Sequence, residues 1–146
     1  MKIIIGNDHA GVEFKNTIMK HLEEQGHEVV NVGTDTLDYP DIAKSVAEKV
    51  LAEEGNLGII ICGTGIGISI AANKVEGIRA ALCHNEFTAR MARLHNNANI
   101  VALGARVIGD ELGKAIVDTF ITTEFSNEER HIKRIEKITN YENQLK

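Results

Sequence analysis

Short apolar segments alternate with amphipathic segments along the whole chain, and this alternation constrains the fold more than any other feature. The apolar segments predicted as strands are 2–7, 27–32, 57–62, 78–83 and 99–103. Alternation of strands and helices with short connections predicts parallel β-α-β units, with helices on both faces of one sheet. We therefore expect a single domain over residues 1–146, with a Rossmann-like, three-layer α/β/α sandwich around a five-stranded parallel sheet.

The intervening segments carry apolar residues at helical spacing. Phe14, Ile18 and Leu22 form one such stripe, and Gly26 ends that helix. The predicted helices are 10–25, a second helix that Asp41 caps, 66–73, 85–94, 110–120 and a long C-terminal helix at about 126–144.

Composition excludes several classes of function. The formal charge of −5 over 146 residues argues against a nucleic-acid-binding protein, although local arginines can still bind an anionic small molecule. Because we find no signal peptide and no membrane-length apolar segment, we expect a cytoplasmic protein without membrane contact. In that compartment Cys62 and Cys83 are expected as reduced thiols, and no metal-ligand spacing is found.

A glycine-rich loop follows the third predicted strand and is the strongest candidate for a site. Gly63, Gly65 and Gly67 come directly after Cys62, whereas Ile68 stands where a dinucleotide motif needs glycine. The loop is either a tight strand-to-helix turn or an anion-binding loop, and the adjacent thiol favours the second reading. Cys62 is either a small buried residue that ends a core strand or a base beside a developing oxyanion. Cys83 has no adjacent glycines and is predicted to be a packing residue.

Other candidate residues also have two readings each. Asp8 beside His9 is a helix cap, a proton-transfer group or both, and His95 at a helix end is most simply a cap for exposed carbonyls. Arg130 and Arg134 share one helix face, either as a solvated surface with neighbouring glutamates or as a clamp for phosphate. His21 and His27 are expected at surface or strand positions without a special role.

Several segments together resemble the type B ribose-5-phosphate isomerases, within the ribose/galactose-6-phosphate isomerase family. The matching segments are Gly-Asn-Asp-His-Ala-Gly at 6–11, Asp-Tyr-Pro at 38–40, Ile-Cys-Gly-Thr-Gly-Ile-Gly-Ile-Ser-Ile-Ala-Ala-Asn-Lys at 61–74, Gly-Ile-Arg-Ala at 77–80, His-Asn at 95–96, Gly-Ala-Arg-Val-Ile-Gly at 104–109 and Arg130, His131 and Arg134. The resemblance covers nearly the whole chain.

The resemblance implies an aldose–ketose isomerase that interconverts D-ribose 5-phosphate and D-ribulose 5-phosphate without a metal or organic cofactor. It also implies a homodimer or homotetramer with active sites shared between subunits and the C-terminal helix packed on a second subunit. Cys62 would be the base between C2 and C1, Asp8 would move protons on the sugar oxygens, and His95 would help to open the furanose ring. Thr64 is the remaining catalytic candidate.

The implied substrate-binding residues are His9, Tyr39, Gly63, Gly65, Ile66, Gly67, Ser69, Asn96, Arg106, Arg130 and Arg134. Amides from Gly63 to Ser69 would hold the enediolate oxygen. His9 and the three arginines would hold phosphate, and a second subunit would contribute His95, Asn96 and Arg106.

One departure separates this chain from part of the family. Some members place a glutamate in the base role a few residues after the glycine loop, whereas residues 70–73 here read Ile-Ala-Ala-Asn, which fits the branch that uses cysteine. Three alternatives remain open: an isomerase of allose or galactose 6-phosphate, a non-catalytic sugar-phosphate or nucleotide binding module, and one subunit of a hetero-oligomeric isomerase.

Overall fold

A five-stranded, fully parallel sheet forms the centre of the protein, as the alternation predicts. The computed structural model describes residues 1–33 and 37–145, and its strand order is β2-β1-β3-β5-β4. The strands are β1 (Ile3–Asn7), β2 (Val29–Asn31), β3 (Leu57–Cys62), β4 (Ala80–Leu82) and β5 (Ile100–Gly104). All residues of β1, β3 and β5 are buried, which explains why these strands read as continuous apolar runs.

Helices cover both faces of this sheet and complete the three layers. They are α1 (Val12–Glu24), α2 (Tyr39–Ala52), α3 (Ile66–Ala72), α4 (Glu86–Asn96), α5 (Asp110–Thr122) and α6 (Glu129–Gln144). One core lies between the sheet and α1, α4 and α5, and the other lies between the sheet and α2 and α3. The last helix, α6, packs outside these layers against α4.

Alternation along β3 decides which face each of its side chains reaches. Ile59 and Ile61 pack into the first core, whereas Ile60 and Cys62 pack on the side of α2 and α3. Cys62 is therefore the last residue of a buried central strand and faces the helix that begins at Ile66.

The predicted cap of the second helix is wrong. Asp38 is the N-cap of α2 and Pro40 stands in the first turn, so Asp41 lies inside the helix. Proline favours this position because its fixed φ suits the first turn and its missing N–H would have no intrahelical acceptor there.

Other differences concern the ends of elements and one histidine. The strands β2 and β4 are shorter than predicted, and α6 begins at Glu129 instead of residue 126. His21 is also more than a surface residue, because its Nε2 lies 2.8 Å from Asp118 Oδ1 and the pair joins α1 to α5. Within the described ranges, no helix has both the length and the apolarity to cross a membrane.

Candidate active site

A cavity of about 400 Å³ lies at the carboxyl edge of the sheet, where the topology predicts a ligand site. It is lined by Asp8, Tyr39, Cys62, Gly63, Thr64, Ile66, Gly67 and Arg106. Eight residues from four separate segments therefore meet at one cavity, and each of them was a candidate on sequence grounds.

The thiol of Cys62 reaches this cavity although the residue is only 5% exposed. Its Sγ accepts a hydrogen bond from the amide of Gly65 at 3.1 Å. An N–H donor at this distance orients the sulfur. Contact with the cavity distinguishes Cys62 from a cysteine that only fills the core.

Cys83 offers a direct contrast and confirms the prediction of a packing residue. It is 1% exposed and belongs to the core on the other face of the sheet. Burial raises the pKa of the Cys83 thiol, and a hydrogen bond with Thr88 only partly opposes this effect. Cys83 is thus kept as a neutral thiol away from the cavity.

The glycine loop bends sharply between β3 and α3. Gly65 has φ of +78°, a left-handed conformation that favours glycine, and it is the N-cap of α3. The amide of Ile66 donates to Thr64 Oγ1 at 3.2 Å, and Ser69 is the first residue of the helix to donate to a backbone carbonyl, that of Gly65. Among the described residues no backbone acceptor is recorded for the amides of Gly67 and Ile68, and Gly67 lines the cavity.

Close backbone packing against β5 holds the loop in this shape. The amides of Ala105 and Arg106 donate to the carbonyls of Cys62 and Gly63, both at 2.9 Å. A Cβ at Gly104 would lie 2.6 Å from the carbonyl oxygen of Thr64, so only glycine fits there without a shift of the loop.

We expect Gly104→Ala to lower the free energy of unfolding by about 1–3 kcal/mol, the usual cost of overpacking. The matched control is Gly109→Ala, because a Cβ at Gly109 meets no atom within 4 Å. Denaturant unfolding of the two variants checks the prediction. Equal stability would contradict the close packing between β5 and the loop.

Three polar side chains surround the cavity mouth. Asp8 Oδ1 accepts from the amide of Ala10 at 2.9 Å, which confirms its capping role and fixes the carboxylate. The Tyr39 ring lies against Gly67, where a Cβ would come within 2.8 Å of two ring carbons. Arg106 Nη1 would lie 3.2 Å from a Cβ at Gly63. Arg106 of the same chain thus lines the cavity.

A second polar cluster forms where α4 ends and α6 begins. The rings of His95 and His131 are 4.3 Å apart between centroids, and Arg130 and Arg134 lie close enough to lower the pKa of His131. Arg130 Nε donates to Glu128 Oε2 at 2.8 Å, and this bond lowers the pKa of the Glu128 carboxyl. The predicted solvated ion pair therefore exists for Arg130, while Arg134 is exposed without a recorded ion pair among the described residues.

The carboxyl end of α4 is held by hydrogen bonds from the Arg79 guanidinium to backbone carbonyls. Asn97 ends the helix with φ of +45°, and Arg79 donates to the carbonyls of Asn96 and Asn97 at 3.0 and 2.9 Å. These bonds hold His95 and Asn96 in one position at the end of the helix.

Within one chain the two clusters lie at opposite edges of the sheet. Cys62 pairs with Gly104 at the carboxyl edge, whereas α4 ends four residues before Ile100, which pairs with Gly58 at the amino edge. The strand between these pairs alone spans about 13 Å. The structure therefore does not bring Cys62 and His95 together in a single chain.

The remaining predicted residues lie outside the cavity lining. Gly65 and Ser69 support the loop from behind, the latter by donating from Oγ to the carbonyl of Ile66 at 2.8 Å. His9 is exposed beside the Asp8 cap at the same edge, and Asn96 is exposed beside His95.

His131 is the residue that sequence reasoning missed as a site residue. Its neighbours Ile132, Ile135 and Ile138 suggest a buried stripe, yet Ile132 and Ile138 are 37% and 47% exposed and His131 is only 4% exposed. The sequence does hold one signal for this role. His131 stands between Arg130 and Arg134, and such a group of polar residues is more typical of a site than of a core.

Comparisons with known proteins identify the family of this chain. The chain is 47% identical to ribose-5-phosphate isomerase B of Escherichia coli over 94% of each protein. The structure of ribose-5-phosphate isomerase B from Clostridium thermocellum matches with a TM-score of 0.95 and 51% identity over 100% of both chains. That of the Mycoplasma genitalium enzyme with bound ribulose-5-phosphate matches with a TM-score of 0.91 and 43% identity over 97% of this chain and 96% of that one. The family model described as Ribose/Galactose Isomerase covers residues 3–138, and the chain belongs to this family.

Proposed function

We propose that this protein interconverts D-ribose 5-phosphate and D-ribulose 5-phosphate through an enediolate, with Cys62 as the base. The observation that carries the proposal is the position of Cys62, which lines the cavity together with Asp8 and whose thiol accepts a hydrogen bond from the Gly65 amide at 3.1 Å. The substrate for which the Escherichia coli relative is named and the ligand of the Mycoplasma genitalium structure support the five-carbon sugar.

Two proton transfers balance this reaction, so it needs no redox cofactor. Cys62 removes the proton from C2 of the open-chain aldose and returns it to C1. Meanwhile a proton moves from O2 to O1, which is the task proposed for Asp8 at the cavity mouth. A positioned acid or base typically contributes about 10²–10⁴-fold to such a step.

The negative charge of the enediolate needs donors that are fixed before the reaction. Gly67, which carries a free backbone amide in this proposal, and Thr64, which carries a hydroxyl, line the same cavity as Cys62. Removing a single donor of this kind typically costs about 10²–10³-fold in turnover. The Tyr39 ring closes the side of the cavity over Gly67.

A second copy of the chain completes each site in this proposal. Cys62 and His95 lie at opposite edges of one sheet, and a two-fold axis between two copies would bring each thiol to the other copy's His95, with two equal sites. Exposed apolar residues on α3 and α6 suit such an interface: Ile66, Ile70 and Tyr141 are 52%, 57% and 62% exposed. We propose a homodimer, alone or paired as a tetramer, with α6 packed on the second copy.

Phosphate binding draws on both copies. His9 and Arg106 lie at the carboxyl edge beside the cavity, and Arg130 and Arg134 of the second copy approach from α6. Arginine suits this task because its charge persists over the working pH range and its planar head forms two parallel hydrogen bonds with phosphate.

We expect Arg134→Ala to raise KM for ribose 5-phosphate at least about tenfold while turnover changes less, because phosphate binding acts on ground state and transition state alike. Lys133→Ala is the control, since Lys133 is exposed on the same helix and pairs with Glu129 at 3.1 Å. A larger loss in turnover than in KM would contradict the clamp.

The purified chain alone, offered ribose 5-phosphate and allose 6-phosphate in deuterium oxide, tests the proposal. We expect ribose 5-phosphate to be converted with deuterium incorporation, and allose 6-phosphate to be the poorer substrate. A non-catalytic binding module would instead gain thermal stability from sugar phosphates without any exchange. Activity that appears only after a sister chain is added would indicate a hetero-oligomeric isomerase.

A further inference from the structure

His131 is a buried titratable group for which the proposed mechanism has no task. It is 4% exposed, and its ring packs against that of His95 with centroids 4.3 Å apart and planes tilted by 34°. The segment before it is tied to α4 as well, because the Ser126 amide donates to the carbonyl of Leu94 at 3.1 Å. His131 therefore forms the surface against which the His95 ring rests.

Ser126 is the hydrogen-bond partner of one nitrogen of this ring. The amide of Glu128 donates to Ser126 Oγ at 3.2 Å, and Oγ lies 2.8 Å from Nδ1 of His131. Either the hydroxyl donates to Nδ1 or an Nδ1–H donates to Oγ. The first arrangement leaves the ring hydrogen on Nε2.

The charges around His131 keep the ring neutral. Burial lowers its pKa most, followed by the positive charges of His95, Arg130 and Arg134, and Glu128 opposes them. Since the pKa is lowered from an ordinary value of about 6.5, the neutral form dominates at pH 7. A neutral ring can support His95 without repelling a proton that His95 carries.

We propose that His131 is a positioning residue, which holds the His95 ring in the orientation needed to open the furanose form of the substrate. This role rests on the proposed function and extends it to a residue outside the reacting groups. Ser126 contributes by holding His131 in the Nε2–H tautomer. His131 itself transfers no proton.

Net conversion and hydrogen exchange together separate ring opening from the shared chemistry. Ribose 5-phosphate is mainly a furanose, whereas ribulose 5-phosphate cannot close such a ring because its C5 hydroxyl carries the phosphate. We expect His131→Ala to lower kcat/KM for ribose 5-phosphate about tenfold, part of the 10²–10⁴-fold that a positioned acid supplies. The exchange of a C1 hydrogen of ribulose 5-phosphate with deuterium oxide, which needs only the enediolate, should stay nearly unchanged.

A second variant distinguishes positioning from proton transfer. His131→Phe keeps a planar ring against His95, so it should recover most of the loss, although it carries no proton. His21→Ala is the control, since it removes another half-buried histidine that joins two helices. Equal losses in net conversion and in hydrogen exchange, or a phenylalanine variant no better than alanine, would overturn the proposal.

Nuclear magnetic resonance of the imidazole nitrogens tests the tautomer independently of activity. At pH 7.5 we expect a hydrogen on Nε2 of His131 in the native protein, and a weaker preference in Ser126→Ala. A hydrogen on Nδ1 would overturn the positioning scheme even if the enzyme is active. A native protein that converts neither sugar phosphate, with the Nε2–H tautomer present, would instead remove the proposed function and with it the role for His131.

Discussion

Cys62→Ala is expected to abolish proton exchange at C2 while the affinity for sugar phosphate stays close to that of the native protein. The substitution removes the only sulfur that faces the cavity among the described residues and leaves the cavity's other lining side chains, including Asp8 and Arg106. Loss of a positioned base costs about 10²–10⁴-fold, and no neighbouring carboxylate stands at residues 70–73 to replace it. Deuterium incorporation and isothermal titration with ribulose 5-phosphate measure the two quantities separately.

Cys83→Ala is the matched control for this variant. Both cysteines are buried, Cys62 as the last residue of β3 and Cys83 directly after β4. Cys83, however, packs into the core on the other face of the sheet and does not line the cavity. Its replacement should cost about 1 kcal/mol of stability, as for an ordinary small core substitution, with turnover unchanged. Residual exchange in Cys62→Ala equal to that of Cys83→Ala would remove the thiol from the base role.

His95→Ala is the second variant with a large expected effect. We expect kcat/KM for ribose 5-phosphate to fall about 10²-fold or more, because an acid that protonates the ring oxygen is lost. The exchange of a C1 hydrogen of ribulose 5-phosphate with deuterium oxide should fall much less, since it reaches the enediolate without a furanose ring. Progress curves from ribose 5-phosphate and deuterium exchange into ribulose 5-phosphate provide the two measurements.

His27→Ala controls for the general effect of losing a histidine. His27 lies in the turn after α1, where its amide donates to the carbonyl of Leu22, and it belongs to neither polar cluster. It should leave both measurements unchanged. A His95→Ala variant that loses net conversion and hydrogen exchange equally would argue for a role of His95 in the proton transfers themselves.

The sheet and its carboxyl-edge site could be predicted because one physical rule decides both. Strands such as β3 are buried on two faces and therefore appear as unbroken apolar runs, and parallel topology collects the residues that follow them at one edge. Asp8, Cys62 and Arg106 meet there as a result.

The second cluster was harder to predict because it depends on long-range contacts between helices. Helical spacing identifies α6 but does not tell which of its faces is buried, and the buried residue is His131 instead of an isoleucine. The Asp41 cap was wrong for a local reason, since Asp38 followed by Tyr39 and Pro40 starts the helix earlier. Spacing along the chain also says nothing about which copy of the chain supplies a residue to the site.

Mixing the two inactive variants tests the shared active site most directly. In a dimer of one Cys62→Ala chain and one His95→Ala chain, one of the two sites keeps both native side chains, because they come from different copies. After unfolding and refolding together, equal amounts should therefore recover about a quarter of the native turnover of ribose 5-phosphate by random pairing. Activity of the mixture no greater than the sum of the separate variants would contradict a site built from two copies.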